Sequence, residues 1–227
     1  MRPTTLADAR KLNLVPSVTT ILSLVSKPAL EKWKTEQLLK AVLQNPLGWN
    51  EDEQLWKTKV YAISEKVGRE AAEAGDLIHN ALEQYYKGHG IALGMHDICV
   101  PVIDLIESTF GHIEWLSESY FAHPKGFGGK CDLHFKGNEK YPNGIILDFK
   151  TKSAEDFSKV KAYTEQCQQL VAYREGFNLP KAECYNLFIS TKSPGELLLH
   201  KWDEESCQKA CKMFYCLLLY WKEVNNI

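Results

Sequence analysis

No apolar run in this 227-residue chain approaches the roughly 18 residues that a membrane-spanning helix needs, so a role inside a bilayer is not expected. The opening M-R-P-T-T-L-A-D-A-R-K carries no apolar stretch of the signal-peptide kind and is too short for a transit peptide, which leads to the expectation of a cytoplasmic protein. There is no internal repeat and no low-complexity segment, which argues against a solenoid or a disordered scaffold. No G-x-x-x-x-G-K-[ST] occurs, so the chain has no P-loop motor of its own. The net charge of −2 gives no overall surplus for holding a polyanion. Cysteine is present, but the seven are odd in number and lie in segments that read as core. They are expected to be reduced, mostly buried thiols rather than a disulfide framework.

What charge there is lies unevenly. Residues 1–45 hold seven Lys/Arg against three Asp/Glu, residues 46–118 hold five against thirteen, and the remainder fifteen against thirteen. A basic arm beside an acidic middle fits phosphate binding at one place and metal binding at another, and fits ordinary solvated helix faces as well. Charge alone does not choose. The hydrophobic fraction of 44% and charged fraction of 25% are those of a globular domain, and the length suits one domain with an N-terminal extension.

Along the chain, V-T-T-I-L-S-L-V after Pro16-Ser17 and the segment opened by Pro28 read as two short helices, with Ser17 and Ser26 as caps. Residues 51–87 read as a helix with Ile78, Leu82 and Tyr85 on its buried stripe, and another helix is expected to open at Pro101 with Ile106, Phe110 and Ile113 in the core. From Trp115 the texture changes to three strand-like runs, W-L-S-E-S-Y-F-A, K-C-D-L-H-F-K and G-I-I-L-D-F-K-T, separated by turn-rich sequence. A helix over 154–175, two strands and a closing helix over 203–224 complete an α/β (α+β) fold with a mixed sheet. We divide the chain into an N-terminal helical region, 1–113, and a core, 114–227, within one compact whole.

The chemistry concentrates in the second and third strand-like runs. Asp148 and Lys150 are two apart, so they leave the same face of an apolar strand beside Ile146. Charges set in I-I-L-D-F-K-T are costly unless paired or used. Hairpin geometry can bring Asp132 next to Asp148, and two carboxylates sharing one spot repel unless a cation joins them. Oxygen donors of this kind suit Mg²⁺ or Mn²⁺, and a neighbouring lysine can orient the attacking water or neutralise a developing phosphorane. The plainer reading is an Asp–Lys pair on a solvent-facing edge strand. Gly75, His79 and Glu83 form a stripe at i, i+4 and i+8 on the long helix. Gln169 and Tyr173, i and i+4 on a later helix, could hold the lysine and stack on a base, although that spacing by itself says little.

Taken together, these residues resemble the RecB-type branch of the PD-(D/E)XK nucleases. That branch's layout is matched in order by G-D-L-I-H (75–79), G-G-K-C-D (128–132), D-F-K (148–150) and Q-L-V-A-Y (169–173). The stand-alone genome-maintenance and phage exonucleases of the branch also share P-S-V-T-T-I-L (16–22), L-E-K-W-K (30–34) and an acidic residue in the first core strand, here Glu118. The resemblance implies a restriction-endonuclease-like core in which His79, Asp132, Asp148 and the backbone carbonyl of Phe149 ligate Mg²⁺ or Mn²⁺. Lys150 would be the catalytic lysine, with Gln169 and Tyr173 positioning it and the DNA, and Glu118 a candidate ligand to a second metal. Lys152, Ser17 and Thr19 would contact substrate.

It further implies exonucleolytic hydrolysis of DNA, single-stranded ends above all, in replication, recombination or repair, within a bacterial or phage-infected cell. A separate helicase or recombinase would be the partner. Some relatives bind an iron–sulfur cluster through one early and three late cysteines. Here none precedes Cys99, and Cys207, Cys211 and Cys216 are spaced for one helix, so no cluster is expected. Two alternatives share the same residues: a structure-specific endonuclease on the same core, and a non-catalytic DNA-binding accessory protein.

Overall fold

Residues 145–149 are all apolar but for one aspartate, and such a run is stable as a strand only when both of its faces are covered. In the computed structural model, which describes residues 11, 12, 14–154 and 156–226, this is the middle strand of a five-stranded sheet. The first ten residues lie outside that description, and the reading of them as leaderless with them.

The strands are β1 (Leu116–His123), β2 (Phe127–Phe135), β3 (Ile145–Lys152), β4 (Glu183–Ser190) and β5 (Leu197–Trp202), and they stand in chain order across the sheet. β3 and β4 are parallel and every other neighbouring pair antiparallel, so the sheet is mixed, as the order of elements predicts. The helices are α1 (Val18–Leu22), α2 (Pro28–Gln44), α3 (Glu53–Tyr86), α4 (His96–Phe110), α5 (Thr164–Gly176) and α6 (Glu204–Asn225).

The chain divides into two compact units, one of residues up to 25 together with 78 onward, the other of residues 26–77. The smaller unit is helical. Trp56 there donates its indole N–H to the Asn45 carbonyl at 2.7 Å, closing α2, and the Trp33 ring lies against Gly68. In the larger unit the sheet has a core on each face. Ile146, Cys184 and Phe127 pack with Ile21 of α1, Leu170 of α5 and Phe214 of α6. Leu147, Leu187 and Leu133 pack on the other face with Leu82 of α3 and with Ile106 and Phe110 of α4. Each such fully buried side chain contributes about 1.5–3 kcal/mol. The result is a mixed α/β domain with a five-stranded sheet flanked by helices.

Several local expectations are corrected. Ser17 caps α1, accepting the Thr20 N–H at 3.0 Å, but the N-cap of α2 is Lys27, because Pro28 takes the first helical position. Pro101 lies inside α4, which begins at His96, since Cys99 already belongs to the buried stripe. The helix expected over 154–175 starts at Thr164. Asp156 caps a single 3₁₀ turn (Phe157–Lys159), and the helix begins only where Gln166 reaches back to the Tyr163 N–H at 2.8 Å. Tyr85 and Ile113 are half-buried rather than core. All seven cysteines are free and five are buried, whereas Cys216 is exposed. Among the described residues no helix is long and apolar enough to cross a membrane.

His134 on β2 is buried, with its ring stacked on Phe177 at 4.1 Å. Burial, helped by the charge of Lys136, pulls the imidazole down to about 4. Between an unfolded value of about 6.5 and that folded value, only the unfolded chain binds the proton. Stability therefore falls as pH drops through this window and levels off below it, by roughly 3 kcal/mol in all. Urea unfolding at pH 7.5 and 4.5 should show that loss in the wild type and not in His134→Phe, which keeps the stack. Equal losses in the two proteins would assign the acid sensitivity elsewhere.

Candidate active site

The β1–β2 ladder runs in one register on both sides of a single break. Ser117 pairs with Leu133 and Ser119 with Cys131, but Glu118 and Asp132 between them are unpaired. Glu118 has a left-handed φ of 50°, a conformation that costs a non-glycine residue on the order of 1–3 kcal/mol. Its buried carboxylate is held by an ion pair with Lys130. Side alternation slips at the same place. Cys131 belongs to the core beneath α5 and α6, whereas Leu133 belongs to the opposite core. In a regular strand residues two apart would share a face. The slip turns the Asp132 carboxylate toward α3, where His79 Nδ1 lies 3.3 Å from Oδ1.

Asp132 also closes the neighbouring ladder. The β2–β3 pairing ends at Leu133 and Leu147, one step before Asp132 and Asp148 would face each other. The Phe149 N–H donates instead to Asp132 Oδ2, at 2.7 Å. On β3 the alternation is regular. Leu147 and Phe149 enter the α4-side core, and Asp148 and Lys150 take the Ile146 face, as the sequence predicts. Asp148 is 3% exposed, and Lys150 Nζ lies 2.6 Å from its Oδ2. The same ammonium donates to Gln169 Oε1 at 2.9 Å, and Gln169 Nε2 donates to the Tyr173 hydroxyl at 2.7 Å. Six residues singled out from sequence, His79, Asp132, Asp148, Lys150, Gln169 and Tyr173, thus meet in one region drawn from α3, β2, β3 and α5.

The electrostatics follow from burial and pairing. Burial pushes the Asp148 carboxyl up and the nearby Asp132 charge adds to this, with Lys150 opposing. For Asp132 burial acts upward too, but the His79 ring, Lys150 and the Phe149 N–H together outweigh it and hold the group down. His79 is raised, because Asp132 and Asp148 overcome the effect of its own burial. Glu118 is raised by burial, with the Asp132 and Glu83 charges adding to it.

Two residues that sequence reasoning passed over complete the network. Asn186, fully buried, stands beside Asp148 in the parallel β3–β4 register and donates to its Oδ2 at 3.1 Å. Trp202 Nε1 donates to Asn186 Oδ1 at 2.8 Å and so sets which end of the amide faces the aspartate. The available signal was the one used for D-F-K, a lone polar residue in an apolar strand, C-Y-N-L-F-I-S.

Other candidates lie further off. Ser17 bridges to Gly128, four residues along β2 from Asp132 or about 13 Å of strand, and its hydroxyl is engaged with Thr19 and Thr20. Lys152 continues the Asp148–Lys150 face past the centre. Gly75 belongs to the smaller unit, one helical turn before His79.

A Cβ at Gly129 would lie 2.9 Å from the rings of both Phe121 and Tyr173, so this glycine lets Tyr173 come up against β2. Gly129→Ala should cost about 1–3 kcal/mol by overpacking. Displacing Tyr173 would also loosen Gln169 and then Lys150. Urea unfolding checks the first effect. Retained stability would mean that the rings shift freely.

The donor chemistry fits a hard divalent cation: two carboxylates, a carbonyl at Phe149 and an imidazole, with one positive charge already held at Asp148 by Lys150. Among the described residues no three His, Cys, Asp or Glu side chains form a ready-made metal cage. The donors are satisfied two by two, His79 with Asp132 and Lys150 with Asp148.

No known family profile matches the chain. No curated protein matches it either. Among solved structures it is similar to one described as "Crystal structure of SSO0001", at 14% identity and a TM-score of 0.34, over 84% of this chain and 87% of that one. So slight a likeness carries no argument about fold or activity.

Proposed function

We propose that this chain is a metal-dependent deoxyribonuclease with a PD-(D/E)XK-type core, acting as an exonuclease on single-stranded DNA ends. The observation that carries the reading is that Asp132, Asp148, Lys150, His79 and Gln169, distant in sequence, form one hydrogen-bonded cluster, in which Asp148 is buried and the other four are half-buried. Charged groups buried in this arrangement are expensive for a fold that makes no use of them.

In this reading His79, Asp132, Asp148 and the Phe149 carbonyl would hold Mg²⁺ or Mn²⁺. The ion's chemistry when bound is to polarise a phosphodiester oxygen and lower the pKa of a water. The chain's own groups do the positioning. Asp132 holds the middle of β3 through the Phe149 N–H, where the β2–β3 ladder stops, and Asn186 fixes the Asp148 carboxylate. Gln169, braced by Tyr173, holds Lys150 where its ammonium can orient water and offset charge developing on the phosphate. A water oxygen forms a bond to phosphorus, the bond to the leaving sugar oxygen breaks, and a proton ends on that oxygen.

The test is hydrolysis of 5′- and 3′-labelled single-stranded and duplex DNA in Mg²⁺, Mn²⁺ or EDTA. Cation-dependent shortening from an end is expected. Nicking of a closed circle would instead indicate an endonuclease. DNA binding with no hydrolysis under any cation would overturn the enzyme and leave an accessory DNA-binding protein.

A further inference from the structure

Helix α6 is apolar on two sides. Cys207, Ala210, Phe214, Leu218 and Trp221 form the side turned into the core. On the opposite side Met213, Cys216, Leu219 and Tyr220 are all exposed, Leu219 by 64% and Tyr220 by 59%. Single exposed apolar residues are ordinary, but four within eight residues on one side of a helix form a continuous patch. A surface helix normally carries its charged residues there. This one carries them at the two ends of the patch instead, Lys209 and Lys212 before its middle and Glu223 after it, all three exposed.

The order is symmetric about Cys216. Met213 and Leu219 stand three residues to either side of it, Lys212 and Tyr220 four, and Lys209 and Glu223 seven. Two such helices laid antiparallel, with their Cys216 residues together, bring each position against its mirror position on the other copy. Met213 then meets Leu219, the Lys212 ammonium meets the Tyr220 ring, and Lys209 meets Glu223. Each contact is made twice, as a two-fold axis requires. A parallel pair would set lysine against lysine and glutamate against glutamate. Lys209 and Glu223 are about 21 Å apart along the axis, so both ends meet only where the helices cross at a shallow angle, about 20°. Glu205, also on this side, falls opposite a position beyond Asn225, where α6 ends, and Glu204 is held by Arg174.

We propose that the outer side of α6 is the interface between two copies of this chain, packed antiparallel about a two-fold axis at Cys216. Charge complementarity names the occupant. A second copy supplies an acid to each Lys209 and a lysine to each Glu223, in the same register that joins the apolar residues. The residues of the candidate active site lie on other elements, so this interface stands apart from the nuclease reading.

Sedimentation equilibrium of the full chain over a wide range of loading concentration should show a monomer–dimer equilibrium. Leu219→Lys should weaken it on the order of 100-fold, since an apolar contact is lost twice and each new ammonium is set near the partner's Lys212. Lys209→Glu and Glu223→Lys should each weaken it on the order of 10-fold, by replacing two opposite-charge contacts with two like-charge ones. The double variant should restore the wild-type constant. A short bismaleimide should give a covalent dimer of the wild type through Cys216, and none of Cys216→Ser. Far-UV circular dichroism should be the same for all, because each substituted side chain is exposed. A wild type that stays monomeric at every concentration overturns the proposal and leaves the face to a different protein. A dimer that tolerates Leu219→Lys and both charge reversals lies on another surface and overturns it as well. A double reversal no tighter than the single ones overturns the antiparallel register.

Discussion

Asp148→Asn should lower the proposed DNA hydrolysis by on the order of 10³-fold, while leaving the protein as stable as the wild type or more so. Lys150→Met should do the reverse for stability. Asp148 is buried, its carboxyl is pushed up by burial and by the Asp132 charge, and Lys150 is the main group opposing that rise. Replacing the carboxylate by an amide of the same shape removes the buried charge and its repulsion from Asp132. The acceptor for Asn186 and Lys150 is kept.

Removing the lysine instead leaves the carboxylate buried and uncompensated, a change that typically costs about 3–5 kcal/mol. The pH dependence carries a definite sign. A carboxyl whose folded value lies above its unfolded one keeps its proton longer in the folded state, so stability is lost as pH rises through the interval between them. Without Lys150 that interval widens upward, and the Lys150→Met deficit should be smaller at pH 5 than at pH 7.5. The double variant should recover most of the loss and show neither effect. Urea unfolding of the four proteins at both pH values decides the matter. A destabilised Asp148→Asn beside an unaffected Lys150→Met would show that the pair is not the strained element of the site.

Asn186→Leu is expected to cost roughly 2–5 kcal/mol, although the side chains are nearly the same size. The Asn186 amide is fully buried and has both ends engaged, its N–H with Asp148 and its carbonyl with the Trp202 indole. Leucine strands the indole N–H and takes a donor from Asp148, and each buried group left without a partner costs about 1–3 kcal/mol. Trp202→Phe leaves the buried Asn186 carbonyl without its donor and should cost about 1–3 kcal/mol. Asn186→Asp should be the worst of the three at neutral pH, since it sets a third buried carboxylate against Asp148 and Asp132, and it should improve as pH falls. Thermal or urea unfolding reads all three. A neutral Asn186→Leu would mean that the aspartate is held well enough by Lys150 alone.

Much of this could be read in the chain before folding. In I-I-L-D-F-K-T the period of two puts Asp and Lys on one face, but an exposed edge strand stayed open until the sheet order placed the run at its centre. The mixed sheet followed from the order of strand-like and helical segments, and Gln169 was placed by helical spacing on α5. Less legible were the starts of helices. Pro101 is tolerated within α4, and Thr164 begins α5 only because Gln166 caps it, choices made by a few local hydrogen bonds.

Sequence alone determined which residues carry charge within apolar segments, and which of those share a face through periods of 2 and 3.6, because periodicity is a property of one strand or one helix. Tertiary structure alone decided that Asp132 turns toward His79, through a slip in alternation opposite the left-handed Glu118, and that Asn186 and Trp202 lock Asp148 from the far side. Those outcomes depend on which strand lies beside which and in what register. Register is set by the packing of two cores against both faces of the sheet at once, and no single segment contains it.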